Sequence, residues 1–275
     1  MAEQIPLTDT AIAPDIADLD RSVEVAPDLA FKKTLLVNVV FHGRAGEPGW
    51  VLIDAGIPGS ADAIYKAAAE RFGENIPPAA IVLTHGHFDH VGALAELAAE
   101  WETPIYAHRL EHPFLNGGRA YPPPRTDVGG GLMARAAGLF PRRPVNVSRW
   151  LALLSEHAEV PFMPGWRAIH TPGHTPGHVA LWREADRTLI AGDAFITTRQ
   201  ESAYAVLTQK PEMHGPPRYY TPDWDAARES VKKLAALEPE LVVTGHGPAM
   251  QGPEMRDALR LLAADFDKIA RPPRY

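Results

Sequence analysis

Cysteine is absent from the 275 residues. Its absence removes disulfides, a thiolate nucleophile and thiolate metal ligands, so any transition metal must be bound through nitrogen and oxygen. Long apolar runs are lacking as well, and none approaches the roughly 20 apolar residues of a membrane-spanning helix. The amino end, MAEQIPLTDTAIAPDIADLD, is acidic and has neither the basic start nor the apolar core of a secretory signal. The expectation is a cytoplasmic protein with no membrane partner. Positive charge is scarce: 27 Lys and Arg against 34 Asp and Glu leave a formal net charge of −7. Phosphate neutralisation needs basic patches, so a nucleic-acid partner is not expected. No Gly-x-Ser-x-Gly elbow occurs, and hydrolysis through that kind of serine is not expected.

The chain is long enough for a large core, and 45% apolar with 22% charged residues is ordinary globular composition. Strand and helix patterns alternate without a low-complexity linker. We therefore expect a single domain over 1–275, with roughly the first 30 residues as an amino-terminal extension. Residues 33–41 (KTLLVNVVF) and 50–54 (WVLID) read as a strand pair. A helix capped by Ser60 follows over 61–72, then a buried strand at 81–85 (IVLTH), a helix over 90–101 and a strand at 104–108 (PIYAH). Residues 112–131 hold Pro122, Pro123 and Pro124 and then Gly129, Gly130 and Gly131, a composition that resists regular structure and fits either a lid or a surface loop. The second half repeats the alternation with strands at 166–170, 178–182, 188–193 and 241–246. A helix starts at Thr221-Pro222-Asp223, and a last helix carries Met255, Leu259, Leu262, Phe266 and Ile269 on one stripe.

Four apolar strand runs end in residues that can bind metal: Asp54, His85, Asp193 and His246. In sheets covered by helices, loops leaving the carboxyl ends of strands line the binding crevice. The echo between IVLTHGH and LVVTGHG hints at two related halves. The densest signal is Thr84-His85-Gly86-His87-Phe88-Asp89-His90, with four potential ligands in six residues. In extended chain, residues two apart project to one side, so His85 and His87 can grip one ion. Gly86 gives the turn freedom, and Asp89 and His90 enter the next helix facing a neighbouring position. Neutral imidazole and carboxylate suit zinc. Later segments add His174 and His178 in a turn-rich loop, Asp193 at a strand end and His246 in Thr-Gly-His-Gly. Any one alone reads as structural, and their joint occurrence is what carries specificity.

The motif His-x-His-x-Asp-His with a distant histidine, aspartate and histidine resembles the metallo-β-lactamase superfamily over residues of about 33 to 270. The resemblance implies an α/β fold, a four-layered αβ/βα sandwich of two mixed sheets flanked by helices. It also implies two divalent metals, zinc first and iron or manganese next. His85, His87 and His174 would hold one metal, Asp89, His90 and His246 the other, and Asp193 would bridge them. Asp54 would orient a ligand, although a strand-end aspartate can equally fix a turn. His178 falls at a non-ligand position. His42, His108, His112, His157 and His170 have no ligand-like context. The loop from Pro211 to Tyr220 offers His214, Tyr219 and Tyr220 as substrate-side residues, and Phe195, just after Asp193, is a further candidate.

Two metals sharing a hydroxide of lowered pKa would attack a carbonyl carbon or a phosphorus, with Asp89 orienting the nucleophile and taking its proton. The superfamily's β-lactamases usually lack the bridging aspartate, and several use a cysteine, which sets this chain apart from them. Glyoxalase II-like thioesterases add a helical carboxyl domain, where this sequence has 29 residues after His246. Many acyl-homoserine-lactone hydrolases place a tyrosine just after the bridging aspartate, where this chain has Phe195, Ile196 and Thr197. The reading is hydrolysis of a small-molecule ester, thioester or lactone. A mononuclear iron persulfide dioxygenase, a promiscuous phosphodiesterase or β-lactam hydrolase, and a non-catalytic scaffold stand as alternatives.

Overall fold

The structure, a computed structural model, describes residues 5–7, 11–12, 21–125, 144–156, 158–198 and 211–273. The chain packs as two compact units. Pro14–Tyr121 with Arg142–Ala168 form one, and Met1–Ala13, Pro122–Pro141 and Ile169–Tyr275 form the other. Among the described residues no helix is long and apolar enough to cross a membrane. Two short strands lie near the amino end, β1 (Ile5–Pro6) and β2 (Ala11–Ile12).

The first unit is built on a seven-stranded sheet whose spatial order follows the chain: β3 (Val23–Ala26), β4 (Leu29–Thr34), β5 (Val37–His42), β6 (Val51–Ile53), β7 (Ala80–Val82), β8 (Ile105–His108) and β9 (Leu151–Leu154). From β3 to β6 the pairing is antiparallel, and from β6 to β9 it is parallel. The parallel steps need crossovers. Helix α1 (Ala61–Phe72) joins β6 to β7, and α2 (Leu94–Trp101) joins β7 to β8. Ile64, Ala67, Ala68 and Phe72 recur at helical spacing and cover Phe41, Leu52 and Ile81 of the sheet together with Leu94 and Leu97. Trp50 stacks on Phe72 with ring centroids 4.5 Å apart. A short helix α3 (His112–Leu115) follows β8.

The six-stranded sheet opens with β10 (Trp166–His170), whose last two residues belong to the second unit, and β11 (Val179–Arg183) and β12 (Thr188–Gly192) continue into β14 (Leu241–Thr244) and β15 (Ala249–Gln251), with β2 at the edge. The two-residue β13 (Glu212–Met213) pairs with β1. Helices α4 (Trp224–Ala235), α5 (Gly252–Ala264) and α6 (Phe266–Ile269) pack Trp224, Val231, Leu259 and Phe266 against Trp182, Leu189 and Val242. Asp223 caps α4 by accepting from the Ala226 N–H at 2.9 Å.

Both units send site residues out from neighbouring parallel strands. Asp54 leaves β6, and His85 lies just beyond β7. Asp193 leaves β12, and His246 lies just beyond β14. Parallel pairing puts the carboxyl ends of both strands on one edge, so each unit collects its own part of the site.

Several local expectations are corrected. Residues 33–41 are not one strand: β4 turns into β5 through Leu35 and Leu36, with Leu35 at φ 63°, and Thr34 pairs with Val37. No Gly, Asn or Asp marks that hairpin, so the turn is invisible to turn chemistry. The helix expected from residue 90 starts at Leu94, because the backbone before it is tied to the β6 exit: Ala55 N–H reaches His90 O at 2.7 Å, and Gly92 N–H reaches Gly56 O at 2.7 Å. Asp89 and His90 therefore sit in a turn. Ser60 precedes α1 but makes no capping bond; its hydroxyl donates back to Ile57 O at 2.7 Å. The last helix breaks at Asp265 into α5 and α6, while its five stripe residues all lie in the core. Of the candidate lid, residues 112–125 are described, α3 gives them one regular turn, and 126–131 lie outside the described residues.

Candidate metal centre

In the first unit one carboxylate organises two histidines. Asp54 is buried and sits at φ 61°, a left-handed conformation that aspartate tolerates better than most residues. Its Oδ1 accepts the Thr84 N–H at 2.8 Å, and its Oδ2 accepts the Thr84 hydroxyl at 2.7 Å. The same Oδ2 lies 2.8 Å from His90 Nδ1, which must donate to it. With its hydrogen given to Asp54, Thr84 Oγ1 can only accept from His85 Nδ1, 3.0 Å away. Both imidazoles thus carry their proton on Nδ1 and keep a lone pair on Nε2. The rings of His85 and His90 lie 4.2 Å apart, and those of His85 and His87 4.8 Å apart, with His85 and His90 fully buried. Candidate ligand atoms of His85 and His87, and of Asp89 and His90, come within 4.8 Å of each other in each pair. Asp89 is half-buried.

The second unit assembles its part from separate segments. The loop 171–178 packs against the first turn of α4, where Gly173 adopts φ +131° and a Cβ would lie 2.4 Å from the Ala227 amide nitrogen. No other residue fits there. Thr221 donates its hydroxyl to Pro217 O at 2.7 Å, so it accepts from His174 Nδ1 at 3.0 Å. The His174 Nε2 lone pair then faces Asp193 Oδ2 at 3.3 Å, and His246 Nε2 lies 3.2 Å from the same oxygen. All three side chains are buried. His246 Nε2 can donate to that oxygen, whereas the His174 lone pair and the carboxylate repel at this distance, a repulsion that a cation between them would turn into ligation. The donor set is imidazole and carboxylate throughout, which fits a divalent transition metal.

His178 is differently engaged. The Asp193 N–H donates to its Nε2 at 2.9 Å, so Nδ1 carries the proton and gives it to Thr171 Oγ1 at 2.8 Å. Both ring nitrogens are used, and the ring braces the backbone of Asp193. His108 pairs with Glu156 at 2.7 Å, His112 with Ala107 O at 3.1 Å and His170 with Pro176 O at 2.8 Å. His42 lies 3.7 Å from Asp28, and His157 lies outside the described residues.

Of the residues expected to face substrate, His214 is buried, donating Nδ1–H to Gly215 O at 2.9 Å and bridging Ile196 through the backbone. Tyr219 is buried, Tyr220 half-buried, and Phe195 lies inside the second unit's apolar core. Sequence reasoning missed the threonines. Thr84, Thr171 and Thr221 set three tautomers; Thr84 and Thr171 open the two histidine motifs, but Thr221 is distant in sequence from the histidine it serves.

The sequence profile of the metallo-β-lactamase superfamily matches residues 34–246. The chain belongs to that superfamily. It is 49% identical over 235 residues, 85% of this chain and 89% of the relative, to the probable metallo-hydrolase YflN of Bacillus subtilis (strain 168). Among solved structures it resembles TTHA1623 in a di-iron-bound form, at 31% identity and TM-score 0.54, covering 85% of this chain and 95% of that one. A β-lactamase domain protein from Burkholderia ambifaria superposes with TM-score 0.64 at 22% identity, covering 94% and 79% of the two chains, and shows the fold alone. The chain therefore has the superfamily's α/β fold of mixed sheets and helices. It is a metallohydrolase with a histidine–aspartate metal-binding cluster.

Proposed function

We propose that this metallohydrolase cleaves a small ester, thioester or lactone at a binuclear zinc centre. His85, His87 and His174 would hold one ion, Asp89, His90 and His246 the other, and Asp193 would serve both. The observation that carries the reading is the fixed protonation of the imidazoles. Hydrogen bonds commit Nδ1 of His85, His90 and His174, leaving Nε2 of each as a donor atom. Orienting partners of this kind are what metal-bound histidines require. A complete nitrogen and oxygen set with Asp193 present and no cysteine favours ester-type chemistry over β-lactam opening.

When bound, two such ions polarise the substrate carbonyl and make water acidic enough to attack at neutral pH. The chain's own groups do the rest. Asp54 aims the rings of His90, directly, and of His85, through Thr84, and His178 fixes the Asp193 backbone. Asp89 takes the proton of the attacking water and returns it to the leaving oxygen or sulfur. Tyr220, on the loop after β13, contributes to substrate contact.

The test is elemental analysis together with a hydrolysis screen across lactones, thioesters, aryl esters, phosphodiesters and β-lactams. We expect about two zinc per chain and carbonyl-ester turnover that chelation abolishes and zinc restores. Asp89→Asn should lower kcat by roughly 10²–10⁴-fold. TTHA1623 takes a di-iron form, so a pair of irons overturns the zinc assignment while leaving the hydrolase. One iron with oxygen uptake overturns the hydrolase, and full activity after verified metal removal overturns the mechanism.

A further inference from the structure

Behind the His85–His87 segment sits a second carboxylate that the hydrolytic reading leaves without a role. Glu111, immediately before α3, is fully buried. Its Oε2 accepts the Gly86 N–H at 2.9 Å and also takes the Tyr121 hydroxyl hydrogen. The Tyr121 oxygen in turn lies 3.2 Å from the Gly86 nitrogen, so a single amide is gripped by both groups. The Tyr121 ring is stacked on Phe114 at 3.9 Å, and its other neighbour is the His87 ring, 4.5 Å away. The close approach requires glycine, because a Cβ on Gly86 would meet the Tyr121 oxygen at 2.7 Å.

Gly86 is the link between two metal-binding histidines, so whatever fixes its peptide plane fixes the angle between their side chains. Buried carboxylates are retained where they are hydrogen-bonded, and this one binds that peptide and the Tyr121 hydroxyl. Asp54 orients His85 and His90 through their rings. We propose that Glu111 and Tyr121 are positioning residues of the metal centre, clamping the Gly86 amide so that His85 and His87 present their nitrogens to one ion. The inference rests on the binuclear reading above.

Cobalt replaces zinc as a spectroscopic probe in wild-type protein, Glu111→Gln and Tyr121→Phe. We expect Glu111→Gln to weaken binding of the first cobalt about tenfold and to change the cobalt d–d band. Tyr121→Phe should weaken it several-fold, and both variants should lose kcat with KM nearly unchanged. Wild-type cobalt affinity and spectrum in both variants overturn the proposal. So does a lowered thermal midpoint of the metal-free protein with unaltered cobalt binding, the signature of a packing role. A rise in KM at constant kcat overturns it as well by making Tyr121 a substrate contact. Should Glu111→Gln fail to fold, Tyr121→Phe, which removes one oxygen from a half-buried ring, carries the same test. If wild-type protein takes up no cobalt, the binuclear reading falls first and this inference with it; two cobalt ions in wild type with unchanged variants remove only the clamp.

Discussion

The two units supply their proposed metal-binding groups in different ways. The first delivers His85, His87, Asp89 and His90 from one segment, and a single buried carboxylate, Asp54, sets two of the tautomers, that of His90 directly and that of His85 through Thr84. The second delivers His174, Asp193 and His246 from three segments, each with its own support: Thr221 for His174, His178 for the Asp193 backbone, and the β14 exit for His246. A contiguous motif can share one organiser; dispersed ligands need one apiece. The contiguous part is therefore more vulnerable to loss of a single group, and the dispersed part degrades step by step.

The largest effect should come from Asp54→Ala. The change strands three buried donors, the Thr84 N–H, the Thr84 hydroxyl and His90 Nδ1–H. An unsatisfied buried donor costs about 1–3 kcal/mol, so metal-free protein should lose roughly 3–9 kcal/mol in denaturant unfolding. Metal affinity should fall by about 10–100-fold, measured by competition with a chromophoric chelator. Asp54→Asn should be nearly as damaging, because an amide presents one acceptor oxygen where three donors converge. If Asp54→Ala binds both ions normally, the shared-organiser account is wrong.

Thr221→Val is the matching change in the second unit and should do less. It keeps the shape of the side chain and removes the acceptor for His174 Nδ1–H together with the donor to Pro217 O, which keeps the Tyr220 N–H. One stranded donor predicts about 1–3 kcal/mol and a drop in affinity of about tenfold for one ion, with the second little altered. Stoichiometric titration separates the two ions. Equal losses at both would mean that the dispersed ligands are as tightly coupled as the contiguous ones.

The same contrast explains what was legible in the sequence. The contiguous motif was readable because its chemistry is local: four ligands beside a strand end need no knowledge of the fold. Asp193 and His246 were placed by the superfamily pattern, and each does leave a β-strand beside its parallel neighbour. The turn at Leu35 and the delayed start of α2 were not legible. The first carries no turn residue, and the second is imposed by hydrogen bonds to Ala55 and Gly56, far back in the chain. Glu111 and Tyr121 escaped for a related reason. They lie beside a stretch whose prolines and glycines announce only irregular structure, and their partner is a backbone amide, which leaves no trace in side-chain spacing. Thr221 was read as a helix start, yet its hydroxyl serves His174 and the cap falls to Asp223.

The helix starts give the smallest test of the difference between the units. In the second unit α4 is capped by Asp223, whose Oδ1 accepts the Ala226 N–H at 2.9 Å, and the Asp223 N–H donates to Gly173 O at 3.2 Å, next to His174. In the first unit α1 has no such cap, and Ser60 turns its hydroxyl back to Ile57 O. Asp223→Ala keeps the backbone link to Gly173 and loses only the side-chain cap, a change of about 1 kcal/mol in unfolding. Cobalt affinity should stay within about twofold of wild type, since the loop carrying His174 is positioned by main chain and by Thr221. A loss comparable to that of Thr221→Val would show that the cap itself holds His174, and the second unit's supports would then act together in the way Asp54 acts in the first.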